Sequence, residues 1–240
     1  MSRQQPEQQA PPVQRLRVRY AKRGRLRFTS HRDVSRAVER AIFRARVPMA
    51  YSSGFNPHPR ISYAGAAPTG AASEAEYLEL ALSAEVEPAA IRASLDEALP
   101  PGLDVLEVVV SPGGGVADRL EASLWHLDVA LDHDKAARMV AAFLAEPEVP
   151  VERMTKKGLR EFDCRGAVVR LEVAPLPGEG PWSTRLELLL RHAVPAVRPD
   201  DVLTGLAAAS GQAVPGGALL TRLAQGPFDE ATSSVGDPLG

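Results

Sequence analysis

One cysteine, Cys164, stands in a chain of 240 residues. A single thiol excludes an intrachain disulfide framework and any zinc site built on two or more thiolates. It also excludes a cysteine-ligated iron–sulfur cluster held by this chain alone. No stretch approaches the ~18 consecutive apolar residues of a membrane span. The opening MSRQQPEQQAPP has no apolar core of the kind a signal peptide needs. No membrane association is expected, and a cytoplasmic location is. Glycine (19) and proline (21) are not periodic, which excludes a collagen-like chain. The spacings GxxxxGK[ST], HExxH and CxxC are missing, and so is the aromatic signature of RNA-recognition motifs. The five histidines, His31, His58, His126, His133 and His192, are scattered, so neither a metal nor a cofactor is expected.

What is present is charge, and it is segregated. The formal net charge is −2. Residues 13–60 nevertheless carry 13 Lys and Arg against Asp33 and Glu39, a local balance of +11, which leaves −13 for the rest. A field this lopsided is a statement about partners that a near-zero total conceals. In RLRVRY, Arg15, Arg17 and Arg19 alternate with Leu16, Val18 and Tyr20, so strand periodicity puts three arginines on one face. In the following segment Arg32, Arg36, Arg40 and Arg44 recur every four residues, one ridge along a helix. The opposite stripe, Val34, Ala37, Val38, Ala41, Ile42 and Ala45, is a core-facing pattern. Ser30 followed by Asp33 predicts a cap and a helix starting near His31. Like charges at i, i+4 repel. A row of four with almost no acids beside it is unusual for solubility alone, and RNA or DNA phosphate is the commonest polyanionic partner.

The coarse order of elements is strand, helix, strand, strand, helix, strand over residues 13–111. A Ser/Pro/Gly-rich stretch then reads as a linker over 112–123, and the same order recurs over 124–225 with extra strand material. The expectation is an α+β chain of two tandem ferredoxin-like (βαββαβ) modules with antiparallel sheets. Residues 1–12 read as a disordered leader and 226–240 as a disordered tail. The alternative is a single α+β domain.

The most distinctive local string is SSGFNPHPR, Ser52–Arg60. Phe55, His58 and Arg60 can contact a base or phosphate as in single-stranded RNA sites, or the loop is purely structural. A second basic cluster, Lys156, Lys157, Arg160 and Arg165, lies in the other module. It either contributes to binding or forms an exposed, charge-paired hairpin. His31, at the start of the arginine-ridged helix, is a candidate general base toward a ribose 2′-hydroxyl, or a surface residue near a cap. No second catalytic partner is identifiable for it. Cys164 reads as a buried structural thiol.

Two runs carry a resemblance: RFTSHRDVSRAVERAIFRARVPMAYSSGFNPHPRISYAGAAPTGAASEAEYLEL, residues 27–80, and KKGLREFDCR, residues 156–165. Together they resemble the radical-SAM-linked proteins, an uncharacterised bacterial family. Its members occur fused behind a B12-binding radical S-adenosylmethionine enzyme region or as separate short chains. The family's second motif reads more like KGxKExDLR, so Cys164 stands at an apolar position. The resemblance spans roughly residues 14–224 and implies no chemistry of its own. It implies an accessory role beside a radical SAM enzyme. Through frequent gene neighbours it also implies an E/G-type ribonuclease as partner. The tandem modules with a basic first helix also look like the CRISPR RNA-processing endonucleases, which cut RNA without metal, often through a histidine. Their C-terminal glycine-rich loop has no counterpart in TRLAQGPF, which has one glycine.

The first expectation is therefore a non-catalytic RNA-binding accessory protein, serving a radical-SAM RNA-modifying enzyme or RNA turnover. Arg15, Arg17, Arg19, Arg32, Arg36, Arg40 and Arg44 would bind phosphate. A metal-independent RNA endonuclease using His31 is the second reading. A module docking an acidic protein partner is the third.

Overall fold

A computed structural model describes residues 8–155, 158–176 and 180–240. The chain is mixed α+β, with four α-helices among the described residues and antiparallel strand pairing within each of two compact units. The first unit runs to Arg119 and takes in Pro238–Gly240, and the second covers Leu120–Asp237.

The first unit contains β1 (Gln14–Lys22), α1 (His31–Arg44), β2 (Ile61–Ala64), β3 (Ala72–Leu82), α2 (Pro88–Ala98) and β4 (Leu103–Val110). β1 lies between β4 and β3, and β2 pairs with β3, all antiparallel. Alternation along β1 sends Leu16, Val18 and Tyr20 to one face, where they meet Leu78, Leu80 and Leu82 of β3 and Val105 of β4. The helices cover that face. Val34, Ala37, Val38, Ala41 and Ile42 of α1 recur at helical spacing and are buried, as are Ile91 and Leu95 of α2. Each fully buried Val, Leu or Ile contributes about 1.5–3 kcal/mol. This shared core fixes the rotation of α1, and so fixes which residues α1 shows to solvent. The Ser30 side chain accepts a hydrogen bond from the Asp33 amide, and the helix starts at His31.

The second unit contains β5 (Ala122–Val129), α3 (His133–Ala145), β6 (Pro150–Thr155), β7 (Gly158–Asp163), β8 (Val168–Ala174), β9 (Thr184–Arg191), α4 (Pro199–Ser210) and β10 (Ala218–Gly226). Its strands run β10, β5, β9, β8, while β6 and β7 form a separate two-stranded ladder. Discounting that ladder, the order is last, first, third, second, the same as in the first unit. Cys164 is buried against Gly205 of α4, where an added Cβ would lie 2.5 Å from Sγ. Burial pushes the thiol up to about 12, so it behaves as a small apolar side chain.

Two terminal and linking segments differ from expectation. Of the stretch expected as a linker over 112–123, Val116 is buried and its amide donates to the Glu79 carboxylate at 3.3 Å, while Ala122 and Ser123 belong to β5. The tail expected to be disordered over 226–240 is ordered instead. β11 (Phe228–Asp229) pairs with β12 (Ser234–Val235), and Leu239 is buried. Both segments escape a composition-based reading because they are held by acceptors and donors distant in sequence. Of the leader expected over 1–12, residues 1–7 lie outside the described residues.

A candidate nucleic-acid interface on the first helix

The arginines of β1 do not form the expected open face. Arg17 is 0% exposed. Its Nε donates to Glu79 at 3.2 Å, one terminal nitrogen to the Pro238 and Leu239 carbonyls at 3.0 and 3.2 Å, and the other to the Gly113 and Gly114 carbonyls at 2.8 and 3.2 Å. A guanidinium has five N–H donors, and all five are engaged within the fold. That removes Arg17 from the phosphate-contacting set. Arg19 is half-buried and donates to the Glu74 carbonyl at 2.8 Å, so its charge is also turned inward. Arg15 alone of the three is exposed. Two neighbouring cations share the structural fate. Lys22 reaches the Ala67 and Pro68 carbonyls, and Arg23 is held between Glu74 and Asp104, which raise its pKa further above its ordinary value.

The helix is different. Arg32, Arg36, Arg40 and Arg44 are all exposed along α1. Arg36 has a loose contact to Asp33 at 3.7 Å, and Arg44 donates to the Ala98 carbonyl. Among the described residues, Arg32 and Arg40 have no carboxylate within ion-pair distance. Arg36, Arg40 and Arg44 line an open hollow of about 600 Å³ together with Glu39 and Phe43. Phe43 is 83% exposed. It also lines a neighbouring hollow shared with Arg46 and Tyr51.

Phe43 was not among the expected site residues, yet the sequence carries the signal. It lies seven residues after Arg36 and three after Arg40, which puts it on the arginine ridge and not on the buried stripe. The same holds more widely. Among the described residues, the exposed aromatic side chains are Phe28, Phe43, Tyr51 and Phe55, all within the segment that carries the +11 balance. The Arg27 guanidinium lies 4.5 Å from the Phe28 ring centroid.

The loop Ser52–Arg60 is tied at its base and open at its tip. Tyr51 and Pro59 form a bridge, the Ser52 amide donates to the His58 carbonyl, and the His58 amide donates to Ser52 Oγ. Gly54 sits at φ 125°, which a side chain would strain. Phe55 and His58 remain exposed, while Arg60 is half-buried with its backbone bonded to Ala50 and Ala81. His31 is exposed and meets the ring of Tyr63 edge-on at 5.2 Å. Burial pushes the Tyr63 phenol up to about 12, so it stays protonated at neutral pH.

In the second unit, Lys156 and Lys157 lie outside the described residues. Arg160 is exposed on β7. Arg165 is half-buried, donates to the Val168 carbonyl at 3.1 Å and faces the Phe143 ring at 6.0 Å. That arrangement makes Arg165 a packing residue of its own unit. Among the described residues, no group of three or more His, Cys, Asp or Glu side chains gathers at metal-binding distance, and no helix is long and apolar enough to cross a membrane.

The chain belongs to the bacterial family DUF2344, described as an uncharacterized protein conserved in bacteria, whose profile matches residues 15–199. Residues 27–80 and 156–165 both fall within that span. None of the curated proteins matches the chain.

Proposed function

We propose that this protein binds RNA through the outward face of α1, as an accessory to RNA modification or turnover. The observation that carries the reading is the exposed row Arg32, Arg36, Arg40 and Arg44, held outward by a fully apolar inner face and little neutralised by acids. Guanidinium groups pair with phosphate in a planar, two-pronged geometry, and a row along one helix tracks a backbone of regularly spaced charges. Arg25 and Arg46, both exposed, extend the basic surface beyond the helix. The recurring strand order also supports reading each unit as ferredoxin-like, an architecture that presents its helices on one side of the sheet. A radical SAM enzyme or an E/G-type ribonuclease is the kind of partner such an accessory would serve.

The test is RNA affinity against salt. Four phosphate contacts to a single strand give a log–log slope of about −3. Replacing Arg36 and Arg40 together by serine should reduce the slope by about 1.4. Undetectable binding, or affinity indifferent to salt, refutes the proposal. The cleavage reading rests on His31 beside Tyr63. It requires that RNA be cut in the presence of EDTA and that His31→Ala abolish the cutting.

A further inference from the structure

We infer that Phe43 is a base-stacking platform, so that the α1 surface selects single-stranded RNA over duplex. This rests on the RNA-binding reading and adds the form of RNA bound. Phe43 is an apolar side chain on a charged, solvent-facing ridge. A phenyl ring at 83% exposure in the last turn of α1 contributes little to the core, which Val34, Ala37, Val38, Ala41 and Ile42 complete without it. Its neighbours on the ridge are Arg36, Arg40 and Arg44. Arginines alone would serve for phosphate, and an apolar ring among them is useful only to a ligand that carries both anionic and flat apolar parts. A nucleic-acid strand with unstacked bases is such a ligand.

The arrangement fits the repeat of a single strand. Phe43 forms a wall shared by two adjoining hollows, one lined by Arg36, Arg40 and Arg44, the other reaching Arg46 and Tyr51. A base on the Phe43 ring would leave its flanking phosphates toward arginines on either side. Tyr51, 45% exposed across the second hollow, offers a second ring. A duplex keeps its bases stacked within and offers α1 only phosphate and sugar, so it would not use the rings. A protein partner with an acidic patch would use the arginines and has no need of stacking geometry.

The experiment compares three probes on the full chain: a single-stranded RNA of about twelve nucleotides, its duplex, and inorganic polyphosphate of similar length. Expected is tightest binding to the single strand. Phe43→Leu should weaken that binding about tenfold. It should leave the salt slope and the polyphosphate affinity unchanged. Phe43→Trp should restore affinity, with the introduced indole quenched on binding. Phe43 is exposed, so neither variant threatens folding. If Phe43→Leu is silent, or weakens all three probes alike, the stacking site is wrong while RNA binding through the arginines stands. If the wild-type chain binds none of the probes, both readings fail together.

Discussion

Strand β1 and helix α1 carry arginines at regular spacings a few residues apart, and the two sets do opposite work. On β1 the spacing of two puts Arg15, Arg17 and Arg19 on one face, but that face is partly covered, and Arg17 became an internal tie. On α1 the spacing of four keeps Arg32, Arg36, Arg40 and Arg44 in water. Burying an ion is tolerable only when every donor is met. Arg17 meets that condition with Glu79 and four carbonyls. The α1 arginines have few partners within the fold, which is what the proposed contact with phosphate requires. Arginine count therefore says less about function than the number of donors each arginine leaves unmet.

Removing the internal tie should have the largest effect on the fold. Arg17→Met leaves the Glu79 carboxylate and several carbonyls facing an apolar side chain. Loss of one partner of a buried ion pair costs about 3–5 kcal/mol. Urea denaturation should show the midpoint falling accordingly, while any chain that remains folded keeps its RNA salt slope. A stable Arg17→Met chain with weakened RNA binding would place Arg17 in the interface and overturn the division.

The sequence made α1 legible because one helix supplies both its signals. The apolar stripe, the Ser30 cap and the arginine ridge are all local, and the helix begins where the cap predicts. The fate of Arg17 was not legible, since Arg15, Arg17 and Arg19 are indistinguishable by spacing. Its acceptors at Gly113, Gly114, Pro238 and Leu239 lie 96 to 222 residues away in the chain. The ordered tail escaped for the same reason: its polar composition reads as solvated, and only tertiary contact reveals Leu239 as buried. Phe43 was readable from its position on the ridge, but a lone aromatic in a helix reads as core until the buried stripe is shown to be complete without it.

The two units should also separate in acid, with a smaller effect. His126 and His192 both lie in the second unit, and burial lowers the pKa of each below its ordinary value, with Arg185 adding to the effect at His126 and Arg222 at His192. The unfolded chain then binds protons that the folded unit does not, so stability is present above the ordinary histidine pKa and lost as pH falls through the folded values. Thermal melts between pH 7 and pH 5 should show the second unit weakening, and His192→Gln should reduce the dependence. A first unit that loses stability equally over that range would contradict this assignment.

The smallest effect carries the most information about why the ridge exists. Arg40 has like charges four residues away on both sides, at Arg36 and Arg44. Each such pair costs an isolated helix about 0.2–0.5 kcal/mol. Arg40→Gln keeps a good helix former and removes both repulsions, so the chain should gain a few tenths of a kcal/mol. The same substitution should lower the RNA salt slope by about 0.7, the share of one phosphate on a single strand. A residue whose loss helps the fold and weakens binding is kept for the ligand, because the structure by itself would discard it. If Arg40→Gln instead lowers stability and leaves RNA affinity untouched, the ridge belongs to the fold, and the contrast between β1 and α1 disappears.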